Sequence, residues 1–313
     1  MQQPMPIIVG APRSGTTLLR LMLDAHPELA IPPETGFFSL DMNREGSPEV
    51  DRSEFFETIV RFPADAPGWA DFHIPKEQFR ARLNTIEPFT RSAGYRAFYQ
   101  LYAERFGKRR WGDKAPLHSF FLDRIEAVLP EAHFIHVLRD GRDVCLSLRP
   151  MWFSPGWDVE IQARHWCDFV SAARSHGAAR QHYLEIKYEE LVTQAEAVLR
   201  RICAFVQLPY VASMLDYYKR APDRLREHEA RLRLDGSVVV SKEQRLRQQQ
   251  KTTQPPDISR VLAWKSAMSP AERHRYEAVA GPLLLQVGYE VDSGQEPVGN
   301  SSVSVTGSGP PAA

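Results

Sequence analysis

The sequence has little cysteine: Cys145, Cys167 and Cys203 are the three among 313 residues. They are too few and too scattered for a disulfide framework, and no Cys-x-x-Cys or His-x-x-x-His spacing offers a metal site. A reducing cytoplasm and no metal are therefore expected. The chain also lacks an excess of either charge, with 39 Lys and Arg against 39 Asp and Glu. That balance excludes a global basic field able to hold nucleic acid or an anionic membrane by counterion release, so any anion site must be local. The start lacks a basic segment followed by a long apolar one, and no stretch reaches the roughly 18 apolar residues that cross a bilayer. A soluble protein without a membrane partner is expected. The cations present are mostly Arg, the bias of a GC-rich bacterial genome. What remains, 43% hydrophobic and 25% charged residues, is the composition of a globular protein.

Pro6 to Val9 is a short apolar run ending at Gly10, and Thr16 to Ala25 carries apolar residues three and four apart. The spacing predicts strand, tight loop and helix. His133 to Leu138 predicts a second strand, preceded by an amphipathic helix over Leu117 to Leu129 and followed, after Asp140-Gly141, by a helix to about Leu148. Tyr183 to Tyr188 predicts a third, with a helix over Gln194 to Val206 behind it. Strands alternating with helices predict an α/β fold, a three-layer sandwich whose central parallel sheet is covered on both faces.

Between Phe38 and Arg109 the pattern changes to helices, Arg52 to Phe62, Lys76 to Thr85 and Ala93 to Phe106, separated by Pro, Gly and Asp turns. This reads as a helical insertion over about 40–110. Arg220 to Lys251 is dense in charge, and a solvated helix or a flexible cap loop that orders on binding, about 220–256, is expected there. Ser269 with Glu272 three residues later is a capping box opening a helix to Gln286. The Gly-, Ser- and Pro-rich tail, 292–313, is expected to be disordered. A single domain over 1–291 accommodates these elements.

The loop Gly10-Ala-Pro-Arg-Ser-Gly15-Thr16-Thr17 follows a strand and opens a helix, where backbone N–H groups and the positive end of a helix converge on phosphate. Its spacing is G-x-x-x-x-G. In loops that bind ATP or GTP the next residues are Lys and Ser or Thr. Here Thr16 stands where that Lys would be and the loop's cation is Arg13, which argues against triphosphate hydrolysis. A P-loop-like cradle with its cation moved into the loop resembles the sulfotransferases that use 3′-phosphoadenosine 5′-phosphosulfate (PAPS). The run from Gly10 to Thr35 is similar to the tyrosylprotein sulfotransferase branch, which carries Arg in this loop and a Glu-Thr pair shortly after the first helix. The resemblance implies a P-loop-like sandwich in which Arg13, Ser14, Gly15, Thr16 and Thr17 bind the 5′-phosphosulfate end of the donor.

The same family holds the donor's 3′-phosphate with an Arg at the end of a strand and a Ser eight residues later. Arg139 and Ser147 match that pair. Arg139 leaves the carboxyl edge of its strand, where open α/β sheets bind ligands, and a guanidinium suits phosphate bidentately. The segment Ile186-Lys-Tyr188-Glu-Glu resembles the family's stretch whose Tyr lies against the adenine, which assigns that role to Tyr188. Lys251 is a guess for a basic residue closing over the 3′-phosphate.

Sulfuryl transfer is an in-line displacement resembling phosphoryl transfer, so the acceptor must be deprotonated and the leaving oxygen neutralised. Glu34, in Pro32-Pro33-Glu34-Thr35, matches the general base of the tyrosylprotein branch. Lys114, in Trp111-Gly-Asp-Lys114, matches a family Lys at the bridging oxygen and would act there with Arg13. His118 is the alternative base. The acceptor implied is a hydroxyl or phenol on a small molecule, glycan or peptide, with no nucleic acid partner; a homodimer stays open. Two other classes remain: a nucleotide-dependent small-molecule kinase, which would need Mg²⁺ and a loop Lys, and a non-catalytic nucleotide-binding module. Ser/His/Asp hydrolysis is a poor fit, since no G-x-S-x-G elbow is present.

Overall fold

The computed structural model describes residues 3–43, 51–177 and 180–291; the tail expected to be disordered lies outside the described residues. The chain opens with β1 (Met5–Val9), α1 (Thr16–Asp24) and the short β2 (Leu29–Ala30). The insertion follows as α2 (Arg52–Val60), α3 (Lys76–Asn84) and α4 (Arg91–Glu104). Two-residue strands β3 (Arg110–Trp111) and β4 (Asp113–Lys114) lead to α5 (Leu122–Val128), β5 (Ala132–Leu138), α6 (Gly141–Leu148) and α7 (Val159–Gly177). Next come β6 (Tyr183–Lys187), α8 (Tyr188–Thr193) and α9 (Ala195–Phe205). The charge-dense segment forms α10 (Ala221–Leu225), a hairpin of β7 (Arg231–Leu232) and β8 (Val238–Val240), and α11 (Lys242–Gln249). Finally, α12 (Trp264–Ala267) precedes α13 (Pro270–Gln286), which starts in the expected Ser269–Glu272 capping box.

Four strands pair in parallel in the order β4-β1-β5-β6, with Ile7 opposite both Asp113 and Phe134. Because successive side chains on a strand point to opposite faces, the apolar runs feed two cores. Met5, Ile7, Val9 and Phe134 enter one, with Phe98, Tyr99 and Leu122. Ile8, Ile135, Val137 and Ile186 enter the other, with Leu19, Leu23, Leu199 and Ile202. Each such side chain fully buried contributes about 1.5–3 kcal/mol, so a sheet covered on both faces is held more firmly than any loop it carries. A third cluster, around Trp166 and Tyr276, packs α6, α7 and α13 under the carboxyl ends of β1 and β5 through Ala11 and Leu138.

Three local readings change. The amphipathic run Leu117 to Leu129 is broken at Phe121, whose φ of −136° leaves helical space, so a 3₁₀ turn over Pro116–Phe120 precedes α5. The third strand stops at Lys187 because Tyr188 already opens α8. Strand β4 is too short for any periodicity to reveal, yet it sets Lys114 beside Ile8 of β1. Among the described residues no helix is long and apolar enough to cross a membrane.

Candidate active site

The carboxyl ends of β1, β4 and β5 open into one cavity of about 640 Å³, within the size range of small-molecule sites. Arg13, Gly15, Thr16, Thr17, Glu34, Lys114, Arg139, Ser147, Tyr188 and Lys251 all line it. Ser14 does not; its side chain is buried beneath the loop. Residues drawn from six separate stretches of the chain thus meet in one place.

The loop turns sharply to reach the helix. Gly15 has a φ of +98°, and a Cβ there would stand 2.4 Å from the Tyr188 ring, so both conformation and space call for glycine. Arg13 adopts a φ of +71°, which costs a non-glycine residue about 1–2 kcal/mol. In return its Nε donates to Ser147 Oγ at 3.2 Å and its Nη2 to the Gln248 carbonyl at 3.4 Å. Burial, together with the charges of Arg139 and Arg260, lowers the Arg13 pKa to about 10, so it remains a cation at neutral pH.

Arg139 is buried at the end of β5. It donates to the carbonyls of Arg13 at 3.0 Å and Arg260 at 2.9 Å, and its guanidinium lies 4.3 Å from the centre of the Tyr188 ring. Among the described residues no carboxylate pairs with Arg13 or Arg139, and Arg139 Nε and Ser14 Oγ are buried without a hydrogen-bond partner. Cations and donors left unmatched away from water are costly, and an anionic ligand in the cavity would answer the two guanidiniums. Arg260, which the sequence reading passed over, joins this group only because the backbone before α12 folds back. Lys251 lies at the mouth, exposed and 3.5 Å from Asp257.

Glu34 and Lys114 form a short ion pair. Partial desolvation works against the half-exposed Glu34 carboxylate, yet the charge and hydrogen bond of Lys114 hold its pKa below the usual carboxylate value. Burial of Lys114 outweighs the help from Glu34 and lowers the ammonium's pKa. Lys114 Nζ also lies 3.4 Å from Thr17 Oγ1, which puts the pair against the loop.

His118 does not reach the cavity. It is fully buried, and its Nε2 lies 2.9 Å from Asp113 Oδ2, which removes the geometry an alternative base would need. Asp113 is the residue that sequence reasoning missed. The Thr35 and Tyr99 hydroxyls donate to its Oδ2 at 2.6 Å each, and the Lys114 N–H donates to its Oδ1 at 2.7 Å. Burial opposes its charge, but the hydrogen bonds from His118, Thr35 and Tyr99 carry its pKa down. One buried carboxylate thus ties the neighbour of Glu34 to the backbone of Lys114. Its position directly before Lys114 was the available signal.

Among the described residues no group of three or more His, Cys, Asp or Glu side chains is placed to hold a metal ion.

The protein can now be set beside known ones. Nodulation protein NoeE of Sinorhizobium fredii is 28% identical over 225 residues, covering 64% of this chain and 50% of its own length. Protein-tyrosine sulfotransferase 1 of Danio rerio is 25% identical over 295 residues, covering 92% of this chain and 72% of its own. The chain therefore spans half of the first relative and less than three quarters of the second. Among solved structures, the sulfotransferase domain from the curacin biosynthetic pathway superposes with a TM-score of 0.56 at 18% identity, over 93% of this chain and 99% of that one. The sulfotransferase domain from the Synechococcus PCC 7002 olefin synthase gives 0.54 at 21%, over 90% and 96%. These two likenesses establish the fold. A sequence model described as the sulfotransferase family matches residues 4–213, about two thirds of the chain and all of the loop, the Glu34–Lys114 pair, Arg139 and Tyr188, so this chain belongs to the sulfotransferase family of enzymes.

Proposed function

We propose that the protein transfers a sulfuryl group from PAPS to a hydroxyl or phenol acceptor on a small molecule, glycan or peptide met in the cytoplasm. The observation that carries this reading is the meeting of two guanidiniums, half-buried Arg13 and buried Arg139, with the Glu34–Lys114 ion pair in one cavity. The cations call for a polyanion. The ion pair supplies a base and an acid at its edge.

In this reading Arg139 and Ser147 hold the 3′-phosphate, residues 13–17 the 5′-phosphosulfate, and Tyr188 the adenine. The acceptor oxygen gives its proton to Glu34 and forms the new bond to sulfur while the bond from sulfur to the 5′-phosphate oxygen breaks. Negative charge grows on that leaving oxygen, and Lys114 with Arg13 stabilises it from fixed positions. As the Lys114 charge is shared with the leaving group its hold on Glu34 weakens. The carboxylate is then freer to accept the proton, so donor binding readies the base.

Calorimetric titration tests the donor. The wild type should bind 3′-phosphoadenosine 5′-phosphate (PAP) without magnesium and in preference to ADP and ATP, and Arg139→Ala should lose that preference. Magnesium-dependent preference for ATP would replace this reading with a kinase, and PAP binding without turnover, indifferent to Glu34→Gln, would leave a binding module.

A further inference from the structure

Helix α11 crosses the cavity with little apolar surface to hold it there. Its sequence, Lys-Glu-Gln-Arg-Leu-Arg-Gln-Gln, includes no fully buried residue, and only Leu246 leans on a core. A helix of eight residues has no stability of its own in water. Something other than the hydrophobic effect must fix it.

The fastening is Asp71, in the 3₁₀ turn Trp69–Phe72 of the insertion, where it is 1% exposed. Arg245 of α11 donates to both of its oxygens, Nη1 to Oδ1 at 2.8 Å and Nη2 to Oδ2 at 2.7 Å. Arg231 Nη2 donates to Oδ2 at 2.8 Å and the Glu229 N–H to Oδ1 at 2.9 Å. Arg245 then reaches back to the Glu229 carbonyl at 2.6 Å and to His228 Nδ1 at 2.9 Å. Space is reserved for the arrangement: a Cβ on Gly68 would stand 1.8 Å from Arg231 Nη1. Bidentate pairing with a buried carboxylate fixes orientation as well as distance. The neighbouring His228, Arg245 and Arg231 outweigh the cost of burial and hold Asp71 well below the usual carboxylate range.

Three residues beyond Arg245, close to one helical turn, the Gln248 carbonyl receives Arg13 Nη2. The insertion is therefore joined to the anion loop through a single helix. We propose that Asp71 is a positioning residue that latches α11 over the cavity, and through Gln248 fixes Arg13 in its ligand-ready orientation. Asp71 touches neither donor nor acceptor in this scheme. The donor side of the proposal rests on the PAPS reading above.

The test compares wild type, Asp71→Asn, Asp71→Glu and Arg245→Met by calorimetric titration with PAP and by hydrogen exchange along the chain. If the unlatched helix is in place about a tenth of the time, apparent PAP affinity falls about tenfold. Asp71→Asn and Arg245→Met should each show this, the double variant should show no further loss, and Asp71→Glu should recover part of it. Faster exchange should be confined to residues 228–249 while β1 and β5 stay protected. Unchanged PAP affinity in both single variants would overturn the latch, as would exchange rising equally through β1 and β5, the mark of general destabilisation. A wild type that ignores PAP would end the donor reading, and the latch would then stand or fall on the exchange of α11 alone.

Discussion

The two sides of the cavity are made from different material. On the loop side, Arg13, Lys114 and Arg139 stand within a few residues of the ends of β1, β4 and β5, strands locked to one another by parallel ladders. On the facing side, Phe62, Phe72, His228, Arg231 and Arg245 come from the insertion and the cap, which share no strand with that sheet and meet through the Asp71 ion pairs. Strand ends are positioned by many backbone hydrogen bonds that no single side chain controls. Ion-paired segments depend on a handful of residues, each replaceable by mutation. The first kind of wall suits a ligand that does not vary, such as a common donor, and the second suits an acceptor that differs from one relative to the next.

The largest expected effect breaks the chemistry without touching either wall. Glu34→Gln should lower turnover by about 10²–10⁴-fold with whichever hydroxyl acceptor a panel of phenols, alcohols and tyrosine peptides yields, while PAP affinity in calorimetry holds or rises because Lys114 is freed. The wild-type pH profile of kcat/KM should fall on the acid side below the ordinary Glu value of about 4.3, since Lys114 depresses the Glu34 pKa. It should fall on the alkaline side below about 10.4, where Lys114 loses its proton early.

Next in size, Arg139→Ala should cost about 1.5–3 kcal/mol of PAP binding, the worth of hydrogen bonds to a charged group, or roughly tenfold to a hundredfold in Kd. The facing wall should behave oppositely. Phe62→Ala, a half-buried residue of the insertion that lines the cavity, should raise the acceptor KM by about tenfold, from the loss of about 1.5 kcal/mol of apolar contact, and leave PAP affinity unchanged. A loss of PAP affinity as large as that of Arg139→Ala would show that the two walls are not separate.

The smallest effect concerns Asp143. Burial pushes its carboxyl up to about 6, against the opposing influence of Arg139 and of the Leu262 and Trp264 N–H donors it accepts from at 2.9 and 2.8 Å. It is charged at pH 7 and neutral at pH 5, so the field at Arg139 becomes more positive as pH falls. PAP affinity should rise by a few-fold, about 0.5–1 kcal/mol for a partly screened charge, between those pH values. Asp143→Asn should lack that part of the rise, which separates it from the ligand's own ionisation.

The loop side was readable because its residues keep company in sequence. Gly15 to Thr17 announce a strand-to-helix turn, and Arg139 and Ser147, singled out by the family's pattern, sit at the end of a strand and on the helix after it. Lys114 and Glu34 were found only through their likeness to a family, since a two-residue strand and a Pro-Pro turn leave no periodic trace. Asp113, Asp71 and Arg260 were not found. Their partners, Thr35, Arg245 and Arg139, lie 78, 174 and 121 positions away, and nothing local in a sequence records such meetings. For the same reason α11 could be seen as charge-rich but not as fastened.

The Tyr188 ring has a metrical consequence. Its edge fills the space beside Gly15 while Arg139 covers its face, so one rigid hexagon sets how far the Gly15 turn stands from the Arg139 guanidinium. The ring acts as a ruler. In the proposed reading, a ligand whose two phosphates are set at that span would engage the loop and Arg139 together, whereas one carrying the same number of charges in a single chain would meet only one of them.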